Sequence, residues 1–228
     1  MMKIVEIFDS IDGEGLRSGK AVSFIRLAGC NLRCTYCDTL YALFGEEEPC
    51  HYTEMTPEEV FEKVNKRYGR ITLTGGEPLL HRESALLCDL LTDAGCEVNI
   101  ETNGAVDTEE FLSRVKHPEQ IFFTIDYKLP SSGMEEKMLW HNFEVLRPSD
   151  VVKFVVGSEQ DAKKLIQITA RLNKLYPTEN PHIYAGVVFG DYPPDKLIDL
   201  ILNEPELKDV VFQLQIHKII WDPEKRGV

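Results

Sequence analysis

Short apolar, β-branched runs recur along the chain and fix what it can fold into. They are "KIVEIF" (3–8), "AVSFIRLA" (21–28), "RITLT" (70–74), "CEVNIE" (96–101), "QIFFTI" (120–125), "DVVKFVV" (150–156), "HIYAGVVF" (182–189) and "VVFQLQIH" (210–217). From the third run onward they are spaced by about 25–30 residues, the length of one strand plus one crossover helix. Helix signals fill the gaps. "TPEEVFEKVNKRYG" (56–69) offers Thr56 as N-cap, Pro57 at the first helical position, Glu59 to close a capping box and Gly69 as the stop. "LLHRESALLCDLLTDAG" ends at Gly95, "SEQDAKKLIQITARLNKLYP" begins at Ser158, and "PPDKLIDLILNEP" opens on prolines. Alternating strands and helices predict an α/β fold with a parallel sheet. About six such units after the cysteine-rich stretch predict an open, partial TIM-like barrel rather than a complete eightfold one. No low-complexity tract or long linker interrupts the pattern, so a single domain over 1–228 is expected.

That frame sorts the polar residues. The cysteines follow the run at 21–28, "TGGEP" follows 70–73, "TNG" follows 96–101, "DYK" follows 120–125, and His217 closes the last run. Parallel α/β folds build their sites at the carboxyl ends of the strands. One face of the sheet is therefore expected to collect these motifs.

The net charge is -13, from 38 acidic and 25 basic side chains. Such a balance argues against a nucleic-acid partner, which calls for a basic footprint. No run of about 18 apolar residues predicts a membrane span. The opening "MMKIVEIFDS" has no basic segment leading into an apolar one, so a cytoplasmic location is expected. In that reducing setting the six cysteines are expected to be ligands, catalytic thiols or core fillers.

Three of them crowd into "AGCNLRCTYCDT" (28–39): Cys30, Cys34 and Cys37. A structural zinc site needs four closed ligands. Cys50 and His51 are the nearest candidates for a fourth, while Cys88 and Cys96 read as core positions. A 4Fe–4S cluster on three thiolates instead leaves one iron open to a substrate or cofactor. A zinc knot or a plain iron–sulfur electron carrier remains the alternative on these residues alone.

The C-x3-C-x2-C spacing, with Tyr36 between the last two cysteines, resembles the radical S-adenosylmethionine enzymes. The resemblance implies that S-adenosylmethionine chelates the open iron and is cleaved by one electron from the cluster to a 5′-deoxyadenosyl radical. "TGGEP" (74–78) is also a feature of that superfamily, its glycines letting backbone approach the cofactor.

"EIFDSIDGEG" (6–15) is more selective and resembles the start of the 7-carboxy-7-deazaguanine synthase family. The order continues through "FIRLAGCNLRCTYCDT", "LTGGEPLL", "ETNG", "TIDYKLPSSGM", "KFVV" and "QLQIHK", nearly the whole chain. This resemblance implies conversion of 6-carboxy-5,6,7,8-tetrahydropterin to 7-carboxy-7-deazaguanine with loss of ammonia, in 7-deazapurine (queuosine or archaeosine) biosynthesis. It implies Mg2+ with Thr39 as a ligand beside the iron-binding Cys30, Cys34 and Cys37. Ile11, Asp12, Gly13, Glu14, Arg26 and Thr74 are implied to bind substrate, the first three largely through backbone and Arg26 by forking onto its carboxylate. Tyr36, Cys37, Asp38, Gly76, Asp126, Tyr127 and Lys128 are implied to bind S-adenosylmethionine. An electron donor such as flavodoxin or ferredoxin, and a homodimer, are further expectations. Glu101 and His217 stand aside as lesser candidates, and "IIWDPEKRGV" (219–228) leaves two readings open, a terminus that reaches the substrate, ending at Val228, or the commoner frayed end. The competing reading within the superfamily is an activase that installs a glycyl radical on a partner protein.

Overall fold

β1 (Met2–Ile11) and β2 (Ala21–Leu27) pair antiparallel, and β3 (Thr53–Met55) adds to the outer side of β1. From β2 on, every pairing is parallel. The computed structural model describes residues 1–44, 50–178 and 181–228. The chain continues through α1 (Pro57–Lys63), β4 (Arg70–Gly75), α2 (Ser84–Asp93), β5 (Glu97–Thr102), α3 (Thr108–Leu112) and β6 (Ile121–Tyr127). It closes with α4 (His141–Glu144), β7 (Val151–Val156), α5 (Glu159–Leu175), β8 (His182–Val187), α6 (Pro194–Asn203), β9 (Val211–Phe212) and α7 (His217–Ile220). The sheet order is β3-β1-β2-β4-β5-β6-β7-β8-β9, with no pairing between the two ends among the described residues. The expected partial barrel, six crossovers following β2, is therefore present and open. No helix among the described residues is long and apolar enough to cross a membrane.

Local chemistry sets the helix ends. Thr56 and Glu59 form the reciprocal capping box, with Thr56 N donating to Glu59 at 2.8 Å and Glu59 N donating to Thr56 at 3.2 Å. The helix stops at Lys63, short of Gly69, because Val64 turns extended and buries its side chain. Lys66 then swings its ammonium onto the carbonyls of Phe61 and Val64, satisfying groups the missing turn would have bonded. Ser158 caps α5 by accepting from Asp161 N at 3.1 Å.

Alternation along each strand divides its residues between two faces. Ile25, Leu73, Ile100, Ile125 and Phe154 join one continuous core with Leu87, Leu91, Leu165 and Leu172 of the helices. Their sequence neighbours turn inward. Arg26 is level with Thr74, Glu101 with Thr124, and Asp126 with Lys153. At the opposite, amino-terminal end of the strands Arg17, 4 % exposed, plugs the barrel. It bonds Asp12 at 2.8 Å, Thr72 Oγ1 at 2.6 Å and the Ile71 carbonyl at 3.0 Å.

Candidate active site

The cysteine loop and the glycine loop leave the sheet side by side, since Leu27 is level with Gly75. Gly76 N donates to the Leu27 carbonyl at 2.9 Å and Glu77 N to the Gly29 carbonyl at 2.8 Å. Gly75 holds φ +133°, and a Cβ there would collide with Leu27 backbone. A Cβ on Gly76 would strike the Gly29 carbonyl. Both glycines are therefore required for the two loops to touch.

All three thiols of the loop line one cavity of about 470 Å3. Each is half-buried, whereas Cys88 and Cys96 are core residues as expected. Among the described residues, no three His, Cys, Asp or Glu side chains converge on a point that a single ion could hold. A multi-iron cluster spreads its thiolates over separate irons, so the three cysteines fit it better than they fit one zinc. Burial pushes the Cys34 and Cys37 thiols up, and bound iron reverses that preference by favouring the thiolate.

Glu77 ties the glycine loop to the end of β5. Its fully buried carboxylate accepts from Thr102 Oγ1 at 2.9 Å, Leu79 N at 3.0 Å and Asn103 N at 2.7 Å. Burial outweighs these bonds and raises its pKa to about 7.

The opposite wall is charged. Arg26 Nε donates to Glu6 at 2.7 Å, and Tyr41 donates to the same oxygen at 3.0 Å. The terminal nitrogens of Arg26 bond no acceptor among the described residues. Thr74 donates to Glu101 at 2.5 Å, whose pKa burial raises. Lys153 pairs with Glu14 at 2.9 Å and Lys128 with Asp126 at 2.9 Å. Burial works against both ammoniums, but Asp126 leads the opposing charges and holds their pKa values above the usual lysine range. Asp38 accepts from Thr39 at 2.8 Å and from Lys218 at 3.3 Å. Burial alone would raise its pKa, yet Lys218 and the Thr39 hydroxyl bring it down to about 2. Burial lowers the pKa of His217.

Ile11, Gly13, Glu14, Arg26, Tyr36, Asp38, Thr39, Thr74, Gly76, Asp126 and Lys128 join the three cysteines around this cavity. Two expected site residues do not. Asp12 is 2 % exposed and turns its carboxylate down onto Arg17. Tyr127 packs on Phe143 and Phe154, with ring centroids 5.3 and 5.6 Å away. Strand alternation explains it: Asp126 and Lys128 point inward, so Tyr127 points to the helices. Glu101 and His217, set aside earlier, line the cavity, as do Lys153 and Gln215. A lysine inside the apolar run "DVVKFVV" was the available signal for Lys153. The tail, left open by the sequence, lies against the cavity: residues 223–228 form part of the wall, and Arg226 lies 3.9 Å over the Tyr41 ring.

The radical SAM superfamily pattern matches residues 24–201. A 7-carboxy-7-deazaguanine synthase from Clostridium acetobutylicum is 46% identical over 228 residues, 99% of each chain. The chain belongs to the 7-carboxy-7-deazaguanine synthase family. A relative of the same name from Methanospirillum hungatei is 38% identical over 97% of this chain and 86% of its own. The crystal structure of QueE from Escherichia coli shares the fold, with a TM-score of 0.70 over 92% of each chain at 23% identity. Streptococcus suis SuiB, solved with its precursor peptide SuiA, matches 85% of this chain and 48% of its own with a TM-score of 0.60. Superfamily membership implies a 4Fe–4S cluster and S-adenosylmethionine.

Proposed function

We propose that this family member converts 6-carboxy-5,6,7,8-tetrahydropterin to 7-carboxy-7-deazaguanine and ammonia. The observation that carries the reading is the pairing, in one cavity, of the three cysteines with an Arg26 guanidinium whose terminal nitrogens bond no acceptor among the described residues. When bound, the cluster and S-adenosylmethionine supply a 5′-deoxyadenosyl radical for hydrogen abstraction. This chain's side chains do the rest. Glu6 grips Arg26 through Nε and turns the remaining fork toward a carboxylate, which a guanidinium binds bidentately. Glu101, oriented by Thr74, offers an acceptor to the N–H groups of a pterin ring. Ile11, Gly13 and Glu14 complete that side, with Glu14 fixed by Lys153.

Tyr36, Asp38, Gly76, Asp126 and Lys128 surround the space beside the thiols and would hold S-adenosylmethionine. Asp38 and Lys128 suit its ammonium and carboxylate. Thr39 and Asp38 present adjacent oxygens, the donor type a hard dication takes. Mg2+ would sit there with waters and substrate oxygens, since one hydroxyl cannot hold it. A small reduced electron carrier such as flavodoxin or ferredoxin would supply the electron.

Anaerobic reconstitution of wild type and Cys34→Ala with iron and sulfide tests the reading. Wild type, given S-adenosylmethionine, dithionite, Mg2+ and the pterin, is expected to release 7-carboxy-7-deazaguanine and ammonia one to one. Cys34→Ala is expected to lose cluster and turnover together. Cofactor cleavage with the pterin untouched would move the chain to another reaction of the superfamily.

A further inference from the structure

We propose that Asn103 is a positioning residue for the iron–sulfur cluster, donating its side-chain N–H to the Cys30 sulfur and making the cluster easier to reduce. The inference rests on the reading that the three thiolates carry a cluster. Asn103 belongs to "ETNG", a motif whose asparagine has no role in the reaction described above. It stands at the end of β5 and is 6 % exposed. Its Nδ2 lies 3.3 Å from Cys30 Sγ and 2.8 Å from Asn31 Oδ1.

The orientation of the amide is set by chemistry. Asn103 Oδ1 accepts from Ala105 N at 2.9 Å. A backbone N–H can bond only the oxygen edge, so the NH2 edge must face the sulfur. The backbone is equally fixed. Asn103 N donates to Glu77 at 2.7 Å, and Glu77 N donates to the Gly29 carbonyl, next to Cys30, at 2.8 Å. On the far side Asn142 Nδ2 donates to the Gly104 carbonyl at 3.0 Å, bracing the turn from α4. The donor is thus carried on a frame that touches the cysteine loop directly. Leu32 N adds a second donor to Cys30 at 3.4 Å. Among the described residues, Cys34 and Cys37 receive no side-chain amide.

An N–H aimed at a ligating sulfur stabilises the more negative, one-electron-reduced cluster more than the oxidised one. Removing the donor therefore lowers the reduction potential. The reaction read is a single electron passed from dithionite to the oxidised cluster.

The test uses wild type, Asn103→Ala, Asn103→Asp and Asn31→Ala, each loaded anaerobically and titrated with dithionite while the electron paramagnetic resonance signal of the reduced cluster is recorded. Iron and sulfide content is measured first. Asn103→Asp keeps an oxygen for Ala105 N, so the turn survives if the alanine variant fails to load. Both Asn103 variants are expected to hold a full cluster whose reduced-to-oxidised ratio falls about tenfold at fixed poise, a 59 mV shift for one electron. The aspartate shifts further, through its charge. Asn31→Ala, which leaves the N–H on sulfur, is expected to match wild type. Wild-type midpoints in both Asn103 variants overturn the proposal. Loss of the cluster from both also overturns it, since the residue then only builds the loop. A wild-type chain that takes up no cluster overturns the family reading beneath it, and the analysis of iron reports that separately.

Discussion

Glu77 sits at zero exposure with three hydrogen-bond donors and no salt-bridge partner among the described residues. Burial raises its pKa from 4.5 to about 7, which makes the residue a source of pH dependence. Below 4.5 the carboxyl is protonated in folded and unfolded chains alike. Between 4.5 and about 7 the unfolded chain releases its proton while the folded chain keeps it, so stability falls as pH rises. Across that window the loss amounts to roughly 3 kcal/mol. Asp12 and Glu101 are raised by burial as well and add to the same slope. Glu77→Gln removes only its own share, so the difference between the two proteins isolates it. Urea unfolding of the metal-free chain at several pH values checks this. Parallel profiles for wild type and Glu77→Gln would assign the slope to the other carboxyls.

At the scale of elements, the meeting of the β2 and β4 ends decides whether the cysteine loop is formed. Gly76→Ala drives a methyl into the Gly29 carbonyl, with both partners held by backbone bonds and unable to yield cheaply. Overpacking of this kind costs about 1–3 kcal/mol. We expect circular dichroism to remain that of the wild type and reconstituted iron content to drop several-fold. Full iron loading in Gly76→Ala would show that the loops separate without consequence. The sequence announced this contact because glycine pairs, cysteine spacing and β-branched runs are local signals. Every one of the eight apolar runs contains a strand, but the last shrinks to Val211–Phe212, since "QLQIH" carries polar groups spent on the cavity. β3 was invisible: "TEM" has no apolar run and exists as a strand only through its pairing with β1. The Asp12–Arg17 ion pair of the barrel floor was not legible, and the Glu77–Asn103–Cys30 chain escaped notice because its members lie 26 and 73 residues apart. Long-range hydrogen bonds leave no periodic trace in a sequence.

Across the whole molecule, the cavity departs from the chain that surrounds it. The protein has a net charge of -13. The cavity wall nevertheless places Arg26, Lys128, Lys153, Lys218, Lys225 and Arg226 against Glu14, Asp38, Glu101, Asp126 and Glu224, a near balance. Binding is thus locally neutral, while approach from a distance is through a negative field. The two small molecules proposed to enter have opposite charge: the pterin carboxylate is an anion, whereas S-adenosylmethionine has one net positive charge from its sulfonium. Salt shortens the reach of the field to about 10 Å at 0.1 M. Ionic strength should therefore act on their capture in opposite directions. Rising potassium chloride should raise kcat/KM for the pterin and lower it for S-adenosylmethionine, and equal slopes would mean that the outer surface does not guide either. A cell that changes its internal salt would then shift which of the two is captured more slowly without altering a single contact inside the barrel.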